Sequence, residues 1–209
     1  MERPINHVYN DIAKDFSRTR YKVWPAVQQF IDSLEVNSLV GDIGCGNGKN
    51  MKSRQDIKFM GMDLTESFVE ICKTKGLDVI LGNILETPFE NSHFNHTMCI
   101  AVVHHLENRD DRLRAISELF RITKSGGCIM IYVWAFEQPE NSSRKFSSKD
   151  ELVPFKTMTG ETHYRYYHLY SREELEQEIT DSSKKYNFHF NYIKQDYEHG
   201  NWYVILEKI

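Results

Sequence analysis

The chain has 209 residues, 40% of them hydrophobic and 27% charged, and a formal net charge of −4. That length allows one domain with a sizeable core and leaves a second cramped, and the composition is that of a globular chain rather than a disordered one. No apolar run approaches the roughly 20 residues that span a bilayer, the N-terminus lacks a basic start followed by an apolar stretch, and the net charge gives no global basic footprint for nucleic acid. The expectation is a cytoplasmic protein, with a nuclear fraction allowed, that has no membrane partner and holds any RNA through local patches.

In chain order, Val8, Ile12 and Phe16 stand at helical spacing and predict a helix over 6–16. A second helix opens at Trp24-Pro25, where proline suits the first turn, so 1–36 reads as a helical cap. Strands follow at 39–43, 57–62, 77–81 and 96–102, with a Gly-rich turn after the first and a helix starting near Thr65 after the second. A helix over Asp110–Lys124 and a strand over Cys128–Trp134 complete the alternation, which implies parallel βαβ units and a sheet covered on both faces.

Residues 137–163 break that rhythm with Pro139 and a Ser/Lys/Glu-rich stretch, and they read as a mobile insertion near the active site. Ser171 and Glu174 have the spacing of a capping box at the next helix. Segments 188–195 and 201–208 alternate around Glu198-His199-Gly200-Asn201 and predict a closing antiparallel hairpin. The expected fold is α/β: one Rossmann-like, doubly wound domain over 1–209, with a mostly parallel seven-stranded sheet ending in that hairpin. Cys45, Cys72, Cys99 and Cys128 form no Cys-x-x-Cys pair, so they read as buried reduced thiols, with no metal site.

The stretch Gly41-Asp42-Ile43-Gly44-Cys45-Gly46-Asn47-Gly48 sets a Gly-rich turn directly after a strand, where a doubly wound sheet binds nucleotide-like ligands. A dinucleotide fingerprint needs its third glycine at position 49, which is Lys. Asp42 would repel a pyrophosphate but favour a nearby ammonium group, and Asp63 ends the next strand at about the right distance for a ribose diol. The pattern resembles class I methyltransferases and implies S-adenosylmethionine as the cofactor. By that resemblance Tyr9, Asp42, Gly44, Gly46, Asp63, Leu64, Asn83, Ile84 and Ala101 form the cofactor site. Gly82-Asn83 stands where the family has an acid for the adenine amino group, and Asn83 still offers a carbonyl acceptor.

Further strings narrow the resemblance: Val8-Tyr9-Asn10-Asp11-Ile12-Ala13 followed by Phe16-Ser17-Arg18-Thr19-Arg20-Tyr21-Lys22-Val23-Trp24-Pro25, then Ala101-Val102-Val103-His104-His105, Ile131-Tyr132-Val133-Trp134-Ala135, Tyr164-Arg165-Tyr166-Tyr167-His168-Leu169-Tyr170 and Asn201-Trp202-Tyr203-Val204. They are similar to the eukaryotic tRNA methyltransferases that esterify the carboxymethyl group of wobble uridine. That resemblance implies a tRNA substrate and a heterodimer with a small zinc-binding activator subunit, and strand 77–81, expected at the sheet edge, is the candidate docking strand.

Carboxylate methylation needs no general base, because the acceptor is already ionised at pH 7. It needs the oxygen held in line with the sulfonium carbon. Arg20 and Arg165 suit two-point anion binding, or are a solvated loop charge and a sheet-packing side chain. His104, at the carboxyl end of a strand, is expected in the active site; His105 is either a contact there or a helix cap. Trp134 stacks on a base or packs in the core, and Tyr166 and Tyr167 belong to a nucleobase wall or a plain lid strand. The competing functions are a small-molecule methyltransferase, for instance of a quinone precursor, and a cofactor-binding subunit without catalysis.

Overall fold

The computed structural model describes residues 3–209. Its large sheet is built from β1 (Leu39–Ile43), β2 (Lys58–Asp63), β3 (Val79–Leu81), β4 (His96–Ile100), β5 (Cys128–Trp134), β8 (Phe190–Tyr197) and β9 (Asn201–Lys208). The strand order is β3-β2-β1-β4-β5-β9-β8. Pairings from β3 through β5 are parallel, and β5–β9 and β9–β8 are antiparallel. The order reverses between β1 and β4, which opens a crevice at the carboxyl ends of those strands.

The central strand β5 is a continuous apolar run, and almost every residue of β4 and β5 is buried, as a sheet covered on both faces requires. One layer is α2 (Pro25–Asp32), whose Val27, Phe30 and Ile31 pack on Val40, Met98 and Tyr132. The opposite layer is α4 (Arg109–Ile122) with α5 (Arg172–Tyr186), packed on Ile43, Cys99 and Ile131. A buried Arg112–Glu178 pair at 2.8 Å, to which the Tyr170 hydroxyl also donates at 2.8 Å, joins α4 to α5. The Ser171 N–H points to the Glu174 carboxylate at 3.5 Å, in the expected capping box.

Two segments differ from the sequence-based expectation. Residues 137–163 contain a regular strand, β6 (Asp150–Lys156), which pairs antiparallel with β7 (Thr162–His168) to make a separate two-stranded sheet. Its alternation of exposed and half-buried residues is set against Phe16 and the rest of the chain, so Pro154 and the charged flanks masked it. The expected strand 77–81 shortens to Val79–Leu81; it does lie at the edge of the sheet, where Leu81 is 50% exposed. The four cysteines are free, three of them buried and Cys128 half-buried. Among the described residues no helix is long and apolar enough to cross a membrane.

Helix α1 (Ile5–Thr19) crosses the crevice. Its Tyr9, Ile12 and Ala13 pack on Phe68 of α3 (Glu66–Thr74), and Phe16 meets Phe155 of β6 at 5.9 Å between ring centroids. Asn10 Oδ1 accepts from the Ser67 N–H at 3.0 Å, and Asn47 donates to the Arg20 carbonyl at 2.9 Å. The cap is thus fastened to both the start of α3 and the glycine turn.

Candidate active site

The glycine turn after β1 needs its backbone freedom, with Gly44, Gly46 and Gly48 all at positive φ. Gly44 has φ +81, and a Cβ there would stand 2.2 Å from Val102. Gly46 has φ +54 with nothing near its would-be Cβ, so the open side faces the crevice. Asp63, at the end of β2, locks the turn: one carboxylate oxygen accepts from the Gly46 N–H at 2.7 Å and the other from the Thr65 N–H at 2.9 Å. Each oxygen keeps a lone pair for a ribose diol. Leu64, Asn83, Ile84 and Ala101 line the same cavity, and Ala101 adopts φ +61, an uncommon left-handed conformation for a side-chain-bearing residue. Asn83 spends its side-chain oxygen on the Leu85 N–H at 3.0 Å, which leaves its second lone pair available.

Asp42 is not part of the cavity wall. It is fully buried behind the turn, neither of its carboxylate oxygens has a hydrogen-bond partner, and burial pushes its pKa up to about 7 despite the pull of Asn50 and Lys49. An unpaired buried carboxylate is costly, and a cationic ligand seated over the turn relieves that cost. The glycine cradle, the aligned Asp63 and this orphaned acid fit S-adenosylmethionine, whose ammonium group is the matching charge.

Above the turn the wall is aromatic and cationic, with Tyr9, Phe16, Arg20, Trp24, Lys49, Trp134, Arg144, Arg165 and Tyr167 facing the cavity. Lys49 Nζ lies 4.5 Å over the Trp24 ring, and burial lowers its pKa to about 8. Arg165, on β7, is only 3% exposed and lies 5.4 Å from the Phe155 ring and 5.3 Å from Tyr167. Trp134 stacks on Tyr167 at 4.3 Å between ring centroids.

A directed hydrogen-bond chain runs through this wall. Arg165 Nη1 donates to the Tyr167 hydroxyl at 2.9 Å, and at the far end His105 Nδ1 lies 2.8 Å from the Tyr166 carbonyl. A guanidinium only donates and a carbonyl only accepts, so His105 carries its proton on Nδ1 and Nε2 accepts. The Tyr9 hydroxyl, 3.0 Å from that Nε2, must then donate to it, which leaves Tyr9 to accept from Tyr167 at 3.5 Å. Burial lowers the His105 pKa to about 3 and raises that of Tyr9 well above its usual range. Neither His105 nor Tyr9 is poised as a base at neutral pH.

The two histidines exchange the emphasis expected of them. His104 does not reach the cavity: it is fully buried, its Nδ1 accepts from the Trp134 N–H at 3.1 Å, and its Nε2 has no partner. His105 is the one on the wall, and it caps no helix, because Asn108 caps α4. The reason is the 3₁₀ turn over Val103–His105, which rotates successive side chains by about 120°.

Tyr166 departs from the expected substrate set as well. Its hydroxyl donates to Asp150, and it lines a separate cleft on the other side of His105 with Tyr164 and His163; neighbours on a strand point to opposite faces, so Tyr167 takes the cavity side. Arg20 lies on the cavity wall with Nη1 engaged by its neighbour Thr19 Oγ1 at 3.1 Å. Sequence reading missed Arg144, Lys49, Trp24 and Phe16 as wall residues. Only tertiary placement identifies Arg144, since in Ser142-Ser143-Arg144-Lys145 it looks like any solvated charge.

Among the described residues one cluster outside the cavity has metal-ligand chemistry: His168, Glu174 and Glu178 carry candidate ligand atoms within 4.8 Å of one another. These atoms already serve protein partners. His168 bridges Asp150 and Glu174 at 2.9 Å each, and Glu178 holds Arg112 and Tyr170. The cluster ties β7 to α5.

The sheet order, the glycine turn with Asp63 and the cation-seeking acid behind it define a class I S-adenosylmethionine-dependent methyltransferase. Residues 41–131 match a family model described as "Methyltransferase domain". A chain from the complex between the Haloferax volcanii Trm112 methyltransferase activator and a putative methyltransferase superposes with a TM-score of 0.67 at 15% identity, covering 97% of this chain and 96% of that one.

At the level of sequence the chain is 33% identical to a tRNA (carboxymethyluridine(34)-5-O)-methyltransferase of Schizosaccharomyces pombe, over 98% of this chain and 96% of the relative. It is 30% identical to one from Xenopus tropicalis, over 100% of this chain and 41% of that longer protein. The chain belongs to the tRNA (carboxymethyluridine) methyltransferase family.

Proposed function

We propose that this chain transfers the methyl group of S-adenosylmethionine to the carboxylate of carboxymethyluridine at the wobble position of a tRNA anticodon. The observation that carries the reading is a cationic and aromatic wall, with Arg20, Arg144, Arg165 and Lys49 beside Trp24, Trp134 and Tyr167, directly above the cofactor turn of a chain whose net charge is −4. Such a wall suits an anionic nucleobase substrate. The names of the fission yeast and Xenopus relatives agree with it.

S-adenosylmethionine supplies an electrophilic methyl on its sulfonium. The residues of the chain hold the acceptor and exclude water; they need not take a proton, because the acceptor carboxylate has none to lose near pH 7. The neutral Tyr9–His105 pair suits that task. Attraction between carboxylate and sulfonium is strongest in a dry pocket, and bringing the two into line lowers the barrier by several kcal/mol.

The test is incubation with labelled cofactor and tRNA bearing carboxymethyluridine. Base-labile label in the tRNA is the expected result, and label released to small molecules without tRNA would overturn the reading in favour of a small-molecule enzyme.

A heterodimer with a small zinc-binding activator belongs to the same proposal. It is supported by the short, open edge of β3 with Leu81 half-exposed and by the activator complex of the Haloferax volcanii neighbour. An activator strand added to β3 would satisfy the free backbone groups of that edge. Val79→Pro is expected to abolish association with cofactor affinity retained, and unchanged hydrogen exchange at 79–81 on adding activator would overturn the docking site.

A further inference from the structure

The three arginines on the cavity wall differ in how much of each guanidinium is still free. Arg165 donates from Nη1 to Tyr167 and points Nη2 at the Pro154 carbonyl at 3.5 Å, while its Nε is buried without a partner. Its fork is therefore committed to holding β7 and the tyrosine chain. Arg20 gives Nη1 to Thr19 Oγ1 and sits 5.2 Å over the Phe16 ring. The Arg144 side chain makes no hydrogen bond or ion pair to any described residue, yet it is half-buried and faces the cavity.

Its position is nevertheless fixed. The guanidinium carbon lies 3.9 Å from the Trp134 ring centroid, the closest cation–ring contact in the structure. Stacking of this kind orients a guanidinium while leaving its N–H edge unused. Trp134 is also stacked on Tyr167, so the indole is a backing plate already covered by protein groups rather than an open platform for a base. Burial first, then the fields of Arg20 and Arg165, hold the Arg144 pKa below the usual guanidinium value, a repulsion that an incoming anion relieves.

We infer that Arg144, backed by Trp134, receives the substrate's carboxylate through a two-point contact and so selects the acid over its neutral amide, while Arg165 acts as a positioning residue behind it. The inference rests on the proposed carboxymethyluridine substrate. Planar guanidinium–carboxylate pairing supplies two parallel charge-assisted hydrogen bonds, which an amide cannot match because its nitrogen presents N–H groups to another donor.

The test measures binding without chemistry. The full chain, saturated with S-adenosylhomocysteine, is titrated with an anticodon stem-loop bearing carboxymethyluridine and with one bearing its amide, carbamoylmethyluridine. Wild type is expected to prefer the acid by about tenfold or more, the scale of one or two charge-assisted bonds. Arg144→Lys and Arg144→Gln should reduce that ratio severalfold or more with cofactor affinity unchanged, which also reports that they fold. Lys145→Ala, next in sequence and bonded only to the Glu140 carbonyl, should keep the ratio.

A preserved acid-to-amide ratio in both Arg144 variants overturns the inference. So does an equal, salt-sensitive loss for both stem-loops, which would make Arg144 a phosphate contact, and so does a wild type that has no preference. If wild type prefers the acid through Arg144 yet forms no methyl ester, the proposed reaction fails while the role of Arg144 stands.

Discussion

The glycine turn and the β6–β7 hairpin face one another across a single cavity, but they are built on different principles. The turn is local. Gly44, Gly46 and Asp63 lie within twenty residues, and two backbone N–H bonds to one carboxylate hold it. The hairpin side is assembled from afar: Tyr9, His105, Trp134, Arg144, Arg165 and Tyr167 come from five separate stretches of chain and are joined by stacking and one directed hydrogen-bond chain. Cofactor binding should therefore depend on the turn almost alone, whereas stability and turnover should both respond to the hairpin wall.

The largest expected effect tests the wall. Tyr167→Ala removes the ring stacked on Trp134 and the acceptor of Arg165, and should destabilise the chain by about 3–5 kcal/mol, as large aromatic deletions in cores do. Denaturant unfolding measures it; a loss below 1 kcal/mol would mean that the wall is not a packed unit. Asp63→Ala should instead cost about 1–3 kcal/mol of cofactor affinity by calorimetry. A similar affinity loss in Tyr167→Phe would blur the distinction between the two sides.

Asp42→Asn separates stability from cofactor binding at the turn. The folded pKa of Asp42, about 7, stands above its ordinary value of 3.8, so its carboxylate destabilises the ligand-free chain increasingly as pH rises from about 4 through 7. The Asn variant should be more stable than wild type by about 1–3 kcal/mol at pH 8, show no gain below pH 4, and bind cofactor more weakly. Urea unfolding at the two pH values decides it.

His105 has the opposite sign. Its folded pKa, about 3, lies below the ordinary 6.5, so its contribution is fully present above pH 6.5 and is lost as pH falls toward 3. Wild type should lose about 1 kcal/mol from this group between pH 6.5 and 5.5, and His105→Asn should flatten that part of the profile; parallel curves of Tm against pH would exclude it. Tyr166→Phe should be smallest, within about 0.5 kcal/mol, because its hydroxyl meets an exposed acid outside the cavity.

The parallel strands, the glycine turn, Asp63 and the closing hairpin were legible from sequence because each rests on short-range rules: short apolar runs, positive-φ glycines, an acid at a strand end, and period-two alternation in the hairpin. Strand β5 has its expected bounds, Cys128–Trp134. Where several weak local signals had to be combined, reading failed. A 3₁₀ turn decided that His105 and not His104 faces the cavity, and strand alternation turned Tyr167 inward and Tyr166 outward.

Tertiary structure alone decided the substrate side. Residues 137–163 lack a strong period because β6 sets Leu152 and Pro154 on its exposed face and Glu151 on its half-buried one, and the Arg144 side chain has no local partner to mark it. Its placement over Trp134, 10 residues away in sequence but 3.9 Å in space, depends on β5, β7 and the intervening segment folding together. A charge acquires a role in a cavity when distant elements enclose it and remove its alternative partners, and no window of sequence contains that information.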